Sequence, residues 1–246
     1  MPGKRKSERL CRIFAEGAGG EVVSDGRLRP GPAAFYGVHE RSKALFDAVR
    51  RAKEQERRDW YYIDNGYFAP SRFFRVTRNA LQHDGLAGKP DHDRLKALGL
   101  TIRPWRDSGR HVLLCLQSER YMRLLWDLDG EAWTRQTRAA IARLTERPVR
   151  VRRKGDRQPI GAALENCHVA VGFTSNALVE ALLAGVPAIA LGPCAARAMG
   201  GGELRDFEIP PMPDGRADWA ARLAAKQWTV EEIRDGVAWR ALTGSS

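Results

Sequence analysis

The stretch from Cys167 to Cys194 limits the fold more than any other part of the chain, because its polarity pattern changes period several times in quick succession. An apolar run, Val169-Ala170-Val171, ends at Gly172, and the polar cluster Thr174-Ser175-Asn176 follows. Leu178, Val179, Leu182 and Leu183 then recur at helical spacing before Gly185-Val186-Pro187 and a second apolar run, Ala188 to Leu191. Short apolar runs bounded by turn residues read as buried strands, and the three-and-four spacing reads as a helix. The result is a strand-helix-strand unit whose polar residues sit at the carboxyl end of a strand, where open α/β sheets bind ligands. Backbone N–H groups at the helix start, with the hydroxyls of Thr174 and Ser175, make an anion site that suits phosphate. Asn176 and Glu180 lie four apart and share a face. A carboxylate there accepts hydrogen bonds from both hydroxyls of a ribose, so the pair points to a nucleotide. The alternative makes Ser175 a plain helix N-cap and Glu180 a solvated surface residue.

The remaining pattern divides into two α/β halves, 1–107 and 108–246. In the first, Leu10 to Phe14 and Ala33 to Val38 read as strands, Arg41 to Arg58 as a helix, and Trp60 to Ile63 and Phe73 to Thr77 as further strands. In the second, His111 to Leu116 reads as a strand ending in Gln117-Ser118. Glu131 to Thr145 reads as a helix, and Val149 to Arg152 as a short strand before the basic turn Arg153-Lys154-Gly155. Thr229 and Glu232 have the spacing of a capping box, so a helix restarts after Gln227-Trp228.

Composition sets the class. The chain has 246 residues, 43% of them hydrophobic, which is ample for buried cores. No apolar run approaches the roughly 18 residues of a membrane span, and the basic start (Lys4, Arg5, Lys6, Arg9) lacks a signal-peptide core. Cys11, Cys115, Cys167 and Cys194 form no CxxC pair and are expected as reduced thiols in a cytoplasm. Forty-one Lys and Arg against thirty Asp and Glu give a net charge of +11, which suits a polyanionic partner. Residues 1–58 hold fourteen of the basic and eight of the acidic side chains. The alternative is a solvated surface rich in arginine.

The run TSNALVEALLAGVP, Thr174 to Pro187, with Ala163 to Val171 before it, resembles the C-terminal half of two-domain glycosyltransferases of the GT-B fold. The likeness covers roughly residues 110–240, and Trp219 to Leu242 is similar to a C-terminal helical element of bacterial and phage glycosyltransferase-like proteins. The words YIDNGYF and FRVTRNA, between Tyr62 and Ala80, resemble a glycosyltransferase-like family of phages and prophages. These resemblances imply two Rossmann-like halves with a cleft between them and a C-terminal helix. They imply a nucleotide-sugar donor, UDP-linked first among the options, held by Thr174, Ser175, Asn176 and Glu180, with no obligatory metal.

Strand ends supply the other candidates. Gln117 and Ser118 follow the first strand of the second half, and Arg152 and Lys154 follow its second. Either cation is placed to stabilise the charge that develops on a departing nucleoside diphosphate. In the first half, Asp64 and then His39 are the candidate general bases on an acceptor hydroxyl, with Asp84 a weaker third. An Asx turn closing the loop before Gly66 is the plainer role for Asp64. Between residues 59 and 85, aromatics alternate with Arg and Asn, so Tyr67, Arg72, Arg75, Arg78 and Asn79 are candidates for stacking on bases and pairing with phosphates. Buried strand aromatics are the alternative. Three functions compete: a cytoplasmic glycosyltransferase acting on a hydroxymethylated pyrimidine in phage DNA, one acting on a cell-surface glycan or lipid-linked precursor, and a non-catalytic nucleic-acid-binding protein on the same fold.

Overall fold

In the computed structural model, residues 2–56, 58–70 and 72–244 are described. The chain forms two compact units, Met1–Leu81 with Ala224–Ser246, and Gln82–Leu223. The division therefore falls elsewhere than the expected boundary after residue 107, and the C-terminal segment returns to the first unit.

The first unit holds helices α1 (Pro2–Ala18) and α2 (Glu40–Glu56) and strands β1 (Ala33–Tyr36), β2 (Trp60–Asn65) and β3 (Phe74–Arg78). The later part of the chain adds β8 (Gln227–Trp228), α9 (Val230–Arg234) and α10 (Val237–Thr243). Its sheet runs β1-β2-β3-β8, with β1 parallel to β2 and the other pairs antiparallel. This mixed sheet corrects the expectation of two Rossmann-like halves. Leu10 to Phe14 is helical, not a strand. Leu10, Ile13 and Phe14 are buried on one stripe while Arg9 and Arg12 face solvent, and that spacing is the helical one. The same core takes Tyr61, Ile63, Phe74, Val76, Trp228 and Ile233. α1 meets α9 so closely that a Cβ at Gly17 would stand 2.1 Å from the carbonyl oxygen of Ile233. On the other face of the sheet, Phe46 of α2 packs edge-on against Phe35 and Trp60.

The single C-terminal helix expected from the resemblance is instead α8 (Arg216–Ala224), β8, α9 and α10. β8 pairs with β3, and buried Gln227 both accepts from the Phe68 N–H and donates to the Phe68 carbonyl. The capping box is present as read: Thr229 N–H donates to the Glu232 carboxylate at 2.7 Å and Glu232 N–H to the Thr229 hydroxyl at 3.2 Å.

The second unit contains α3 (His92–Ala97), β4 (His111–Cys115), α4 (Glu119–Trp126), α5 (Gly130–Ala142), β5 (Val149–Arg152), α6 (Ile160–Ala163), β6 (Cys167–Gly172), α7 (Asn176–Leu183) and β7 (Ala188–Ala190). Its sheet, β5-β4-β6-β7, is parallel throughout and Rossmann-like. β4, β6 and β7 read as continuous apolar runs because both their faces are buried, whereas β5, at the sheet edge, alternates valine with arginine. Val112, Leu114, Val169, Val171 and Ile189 meet Ile141 of α5 and Phe207 in one core, and Leu178, Val179, Ala181 and Leu182 bury the inner side of α7. No helix among the described residues is long and apolar enough to cross a membrane.

Candidate functional site

Cys115, Arg152 and Gly172 end their strands in register, so the turns after β4, β5 and β6 open on one edge of the parallel sheet. The turn from β6 into α7 is stitched to the turn after β7. Leu191 N–H donates to the Gly172 carbonyl (2.9 Å) and Gly192 N–H to that of Phe173 (3.0 Å). The Cys194 thiol reaches the Ser175 carbonyl at 3.7 Å. Gln82, itself buried, bridges the same two turns: its amide donates to the Thr174 carbonyl at 2.6 Å and accepts from Ala195 N–H at 3.3 Å. The carbonyls of Gly172, Phe173, Thr174 and Ser175 are all paired in this way, which holds the turn into α7 in place.

The expected residues play divided parts at this edge. Thr174 is 1% exposed; its hydroxyl accepts from the Gln117 amide at 2.5 Å and lies 3.5 Å from the Tyr121 hydroxyl. Thr174 and Gln117 thus shape the turn from beneath. Ser175 is the N-cap of α7, its hydroxyl accepting from Ala177 N–H at 3.3 Å, and Asn176 opens the helix partly exposed. Ser118 is the N-cap of α4, accepting from Tyr121 N–H. One turn into α7, Glu180 keeps solvent exposure, yet desolvation by the surrounding protein raises its carboxyl above the usual range, with the nearby Arg152 charge pulling the other way. Arg152 also donates to the Gln158 carbonyl at 2.7 Å, and Lys154 stands on the exposed turn that Asp156 closes onto Arg153 N–H.

In the first unit, Asp64 sits at the carboxyl end of β2 with both oxygens engaged. Oδ2 pairs with the 3%-exposed guanidinium of Arg75 at 2.8 Å, and Oδ1 accepts from Asn65 N–H at 2.7 Å. His39 is exposed just after β1 and precedes α2, its N–H donating to the Ser42 hydroxyl. Asp84, which falls in the second unit, closes a turn by accepting from Leu86 and Ala87 N–H.

Of the residues expected to contact nucleic acid, Tyr67 and Arg75 are buried, Asn79 is half-buried, and Arg72 and Arg78 are exposed. Tyr61, Tyr62, Tyr67, Phe68, Phe73 and Phe74 are all buried, and the Arg75 guanidinium lies 4.9 Å from the Tyr67 ring centre. Arg78 pairs with Asp59 and donates to the Leu242 carbonyl, while Asn79, at φ 57°, donates to Asp59 and accepts from Trp60 N–H. Arg72 remains at the surface, over the Phe73 ring. The alternation of aromatics with Arg and Asn is thus mainly that of a strand pair with a polar rim.

Sequence reasoning missed Gln82 and Tyr121. Gln82 carries no local signal, because its partners lie 92 and 113 residues away. Tyr121 was within reach: Ser118 with Glu119 behind it is an N-cap pattern, and Tyr121, Met122 and Leu125 have helical spacing.

No protein-family model matches the chain, and no curated protein sequence matches it. Among solved structures, the chain is similar to the β-Kdo 2,4 transferase of KpsC from Thermosulfurimonas dismutans. The TM-score is 0.55 at 14% identity, over 91% of this chain and 88% of that one. A second match, to the β-Kdo 2,7 transferase of the same protein, has a TM-score of 0.45 at 12% identity, over 86% of this chain and 99% of that one. The first of these likenesses is one of fold: the two-sheet α/β architecture of this chain is also that of a solved sugar transferase.

Proposed function

We propose that the protein is a glycosyltransferase that takes its sugar from a nucleotide-linked donor, with the parallel-sheet unit as the donor half of a GT-B-like enzyme and the mixed-sheet unit as the acceptor half. The observation that carries this reading is the fixed start of α7, closed from below by Thr174, Gln117 and Gln82, with the Glu180 carboxyl one turn further on. Backbone N–H groups at that start receive the phosphates, and Glu180 accepts from the ribose hydroxyls. The fold shared with a Kdo transferase supports sugar transfer as the chemistry.

In the reaction, an acceptor hydroxyl oxygen bonds to the anomeric carbon as the bond from that carbon to the donor phosphate breaks. The phosphate keeps the electron pair, and a base takes the hydroxyl proton. The developing negative charge falls where the α7 dipole and nearby cations stabilise it. Asp64 and His39 remain the base candidates by their places at the carboxyl end of β2 and after β1. Asp64 would first have to share its carboxylate with Arg75.

We assign the acceptor to a saccharide hydroxyl in preference to a DNA base. The burial of Tyr67 and its neighbouring aromatics argues against the stacking that a DNA reading needs, and the structural neighbour is a β-Kdo 2,4 transferase, named for a sugar and not for a nucleic acid. The +11 net charge favours the DNA reading and keeps it in the test. Incubation with UDP-sugars and nucleotide-activated Kdo, against oligosaccharide acceptors and DNA containing 5-hydroxymethylcytosine, followed by mass analysis, decides the matter. Sugar added to an oligosaccharide is the expected result. Sugar on DNA redirects the acceptor, and binding to DNA without donor turnover in any arm overturns the enzyme reading.

A further inference from the structure

We propose that the protein carries a docking face for an anionic phospholipid surface, formed by the exposed side chains of Ile209 and Leu144 and by the arginines on and around β5. The inference goes beyond sugar transfer and does not depend on it. Ile209 is 90% exposed, the most of any large apolar side chain among the described residues. A single apolar residue on a surface is ordinary, but this one is held out by its neighbours. Phe207, two residues before it, is 1% exposed and packs into the core of the parallel sheet, and its carbonyl faces Nε2 of His168 at 3.2 Å. Pro210, directly after it, is buried, and the Pro213 carbonyl accepts from the Trp105 indole at 3.3 Å. Prolines at 210, 211 and 213 restrict the backbone between these anchors. Ile209 is thus presented to solvent by a stiff segment.

Leu144 is brought close by one ion pair. Arg147 Nη1 lies 2.7 and 2.6 Å from the two carboxylate oxygens of Glu208, which also accepts from the Thr145 hydroxyl. Thr145 and Glu208 are the sequence neighbours of Leu144, 42% exposed, and of Ile209. The pair also cancels the charge of Glu208 beside the two apolar side chains. Arg147 leads through Pro148 into β5, the edge strand of the sheet. From Arg143 to Arg157 the chain has seven cations and two acids, Glu146 and Asp156, and Asp156 accepts from Arg153 N–H. Arg143, Arg150, Arg153 and Arg157 are exposed and, among the described residues, pair with no carboxylate. Apolar side chains that enter the headgroup boundary beside arginines that bond lipid phosphates are the pattern of a protein resting on an anionic bilayer. A nucleic acid would use the arginines alone and leave Ile209 idle.

The test is co-sedimentation of the full chain with vesicles of phosphatidylcholine containing phosphatidylglycerol, and with vesicles of phosphatidylcholine alone. Binding to duplex DNA is measured alongside by fluorescence anisotropy. The proteins are the wild type, Ile209→Ser and the double variant Arg150→Glu/Arg157→Glu, each checked for an unchanged thermal midpoint, since all three side chains are exposed. The wild type is expected to bind the phosphatidylglycerol vesicles and not the neutral ones. Ile209→Ser is expected to weaken that binding at least threefold with DNA binding unaltered, and the charge reversal to weaken it at least tenfold. A wild type that binds neither vesicle, or both equally, overturns the inference, as does vesicle binding by Ile209→Ser within threefold of the wild type. Duplex DNA bound more tightly than the anionic vesicles assigns the cationic strip to nucleic acid and overturns it too.

Discussion

Glu180 is under two opposed influences, desolvation that favours its neutral form and the Arg152 charge that favours the ionised one, and the first prevails. Only the ionised carboxylate accepts from both hydroxyls of a ribose. Nucleotide affinity is therefore expected to be full at neutral pH and to fall as pH drops through the raised pKa, at higher pH than a solvent-exposed glutamate would give. In Glu180→Gln that pH dependence disappears, and affinity at neutral pH is lower by about 1–3 kcal/mol. Calorimetric titrations across the acid range check this; parallel pH curves for the two proteins would rule it out. The thiols behave in the opposite sense. Burial pushes Cys115 and Cys167 up to about 12, so both are expected to resist alkylation in the folded protein at neutral pH and to react once it is unfolded. Rapid labelling of the native chain at either position would contradict that. Ser175 as an N-cap was legible because capping is a local pattern. The buried part of Thr174 was not, because its partners Gln117, Tyr121 and Gln82 lie 57, 53 and 92 residues away.

α1 shows where element reading succeeds and fails. The short apolar cluster Leu10 to Phe14 reads as a strand in isolation, but Ala18 extends its buried stripe at helical spacing and α9 and α10 cover it. The packing partner is more than 200 residues away, and no local propensity announces it. Gly17→Val places side-chain atoms where the Ile233 carbonyl already stands, 2.1 Å from an ideal Cβ, so the helices must separate. A loss of about 2–4 kcal/mol in unfolding free energy, read from chemical denaturation, is the expected outcome. An unchanged midpoint would mean that the α1–α9 approach is not part of the folded state. β4, β6 and β7 were legible to within two residues, because strands buried on both faces of a parallel sheet write themselves as uninterrupted apolar runs, and β5 falls where it was expected, at Val149 to Arg152, while α5 ends three residues short of the expected Thr145. β8 was invisible as a strand: two residues, Gln227 and Trp228, pair only because β3 presents an open edge.

At the scale of the whole molecule, charge and protonation act on stability as well as on binding. His111 and His168 are buried near the amino ends of β4 and β6, Nε2 of each facing a backbone carbonyl, of Ala163 and Phe207, while Nδ1 of each has no partner. Burial depresses both pKa values below 6.5, and the Arg150 and Arg147 charges push the same way on His111 and His168 in turn; Glu208 opposes the shift at His168. The unfolded chain therefore binds more protons than the folded one once pH falls below about 6.5. Stability is full above that pH and declines below it, by at most about 1.4 kcal/mol per pH unit for each histidine. Unfolding midpoints measured at several pH values check the slope, and a flat profile down to about pH 5 would contradict it.

The two units differ in how much of their work the sequence disclosed. The edge of the parallel sheet proposed to hold the donor follows from one contiguous run, Cys167 to Cys194, whereas the aromatic stretch between 59 and 85 reads equally as a stacking platform and as a core, and only burial separates the two. The central claim is that the amino end of α7 holds nucleotide phosphates and Glu180 the ribose. A crystal structure of the protein soaked with UDP or CMP tests it most directly. The account predicts phosphate oxygens within hydrogen-bond distance of the backbone at Ser175 to Ala177 and ribose hydroxyls on Glu180; a nucleotide bound elsewhere, with that helix end unoccupied, would contradict it.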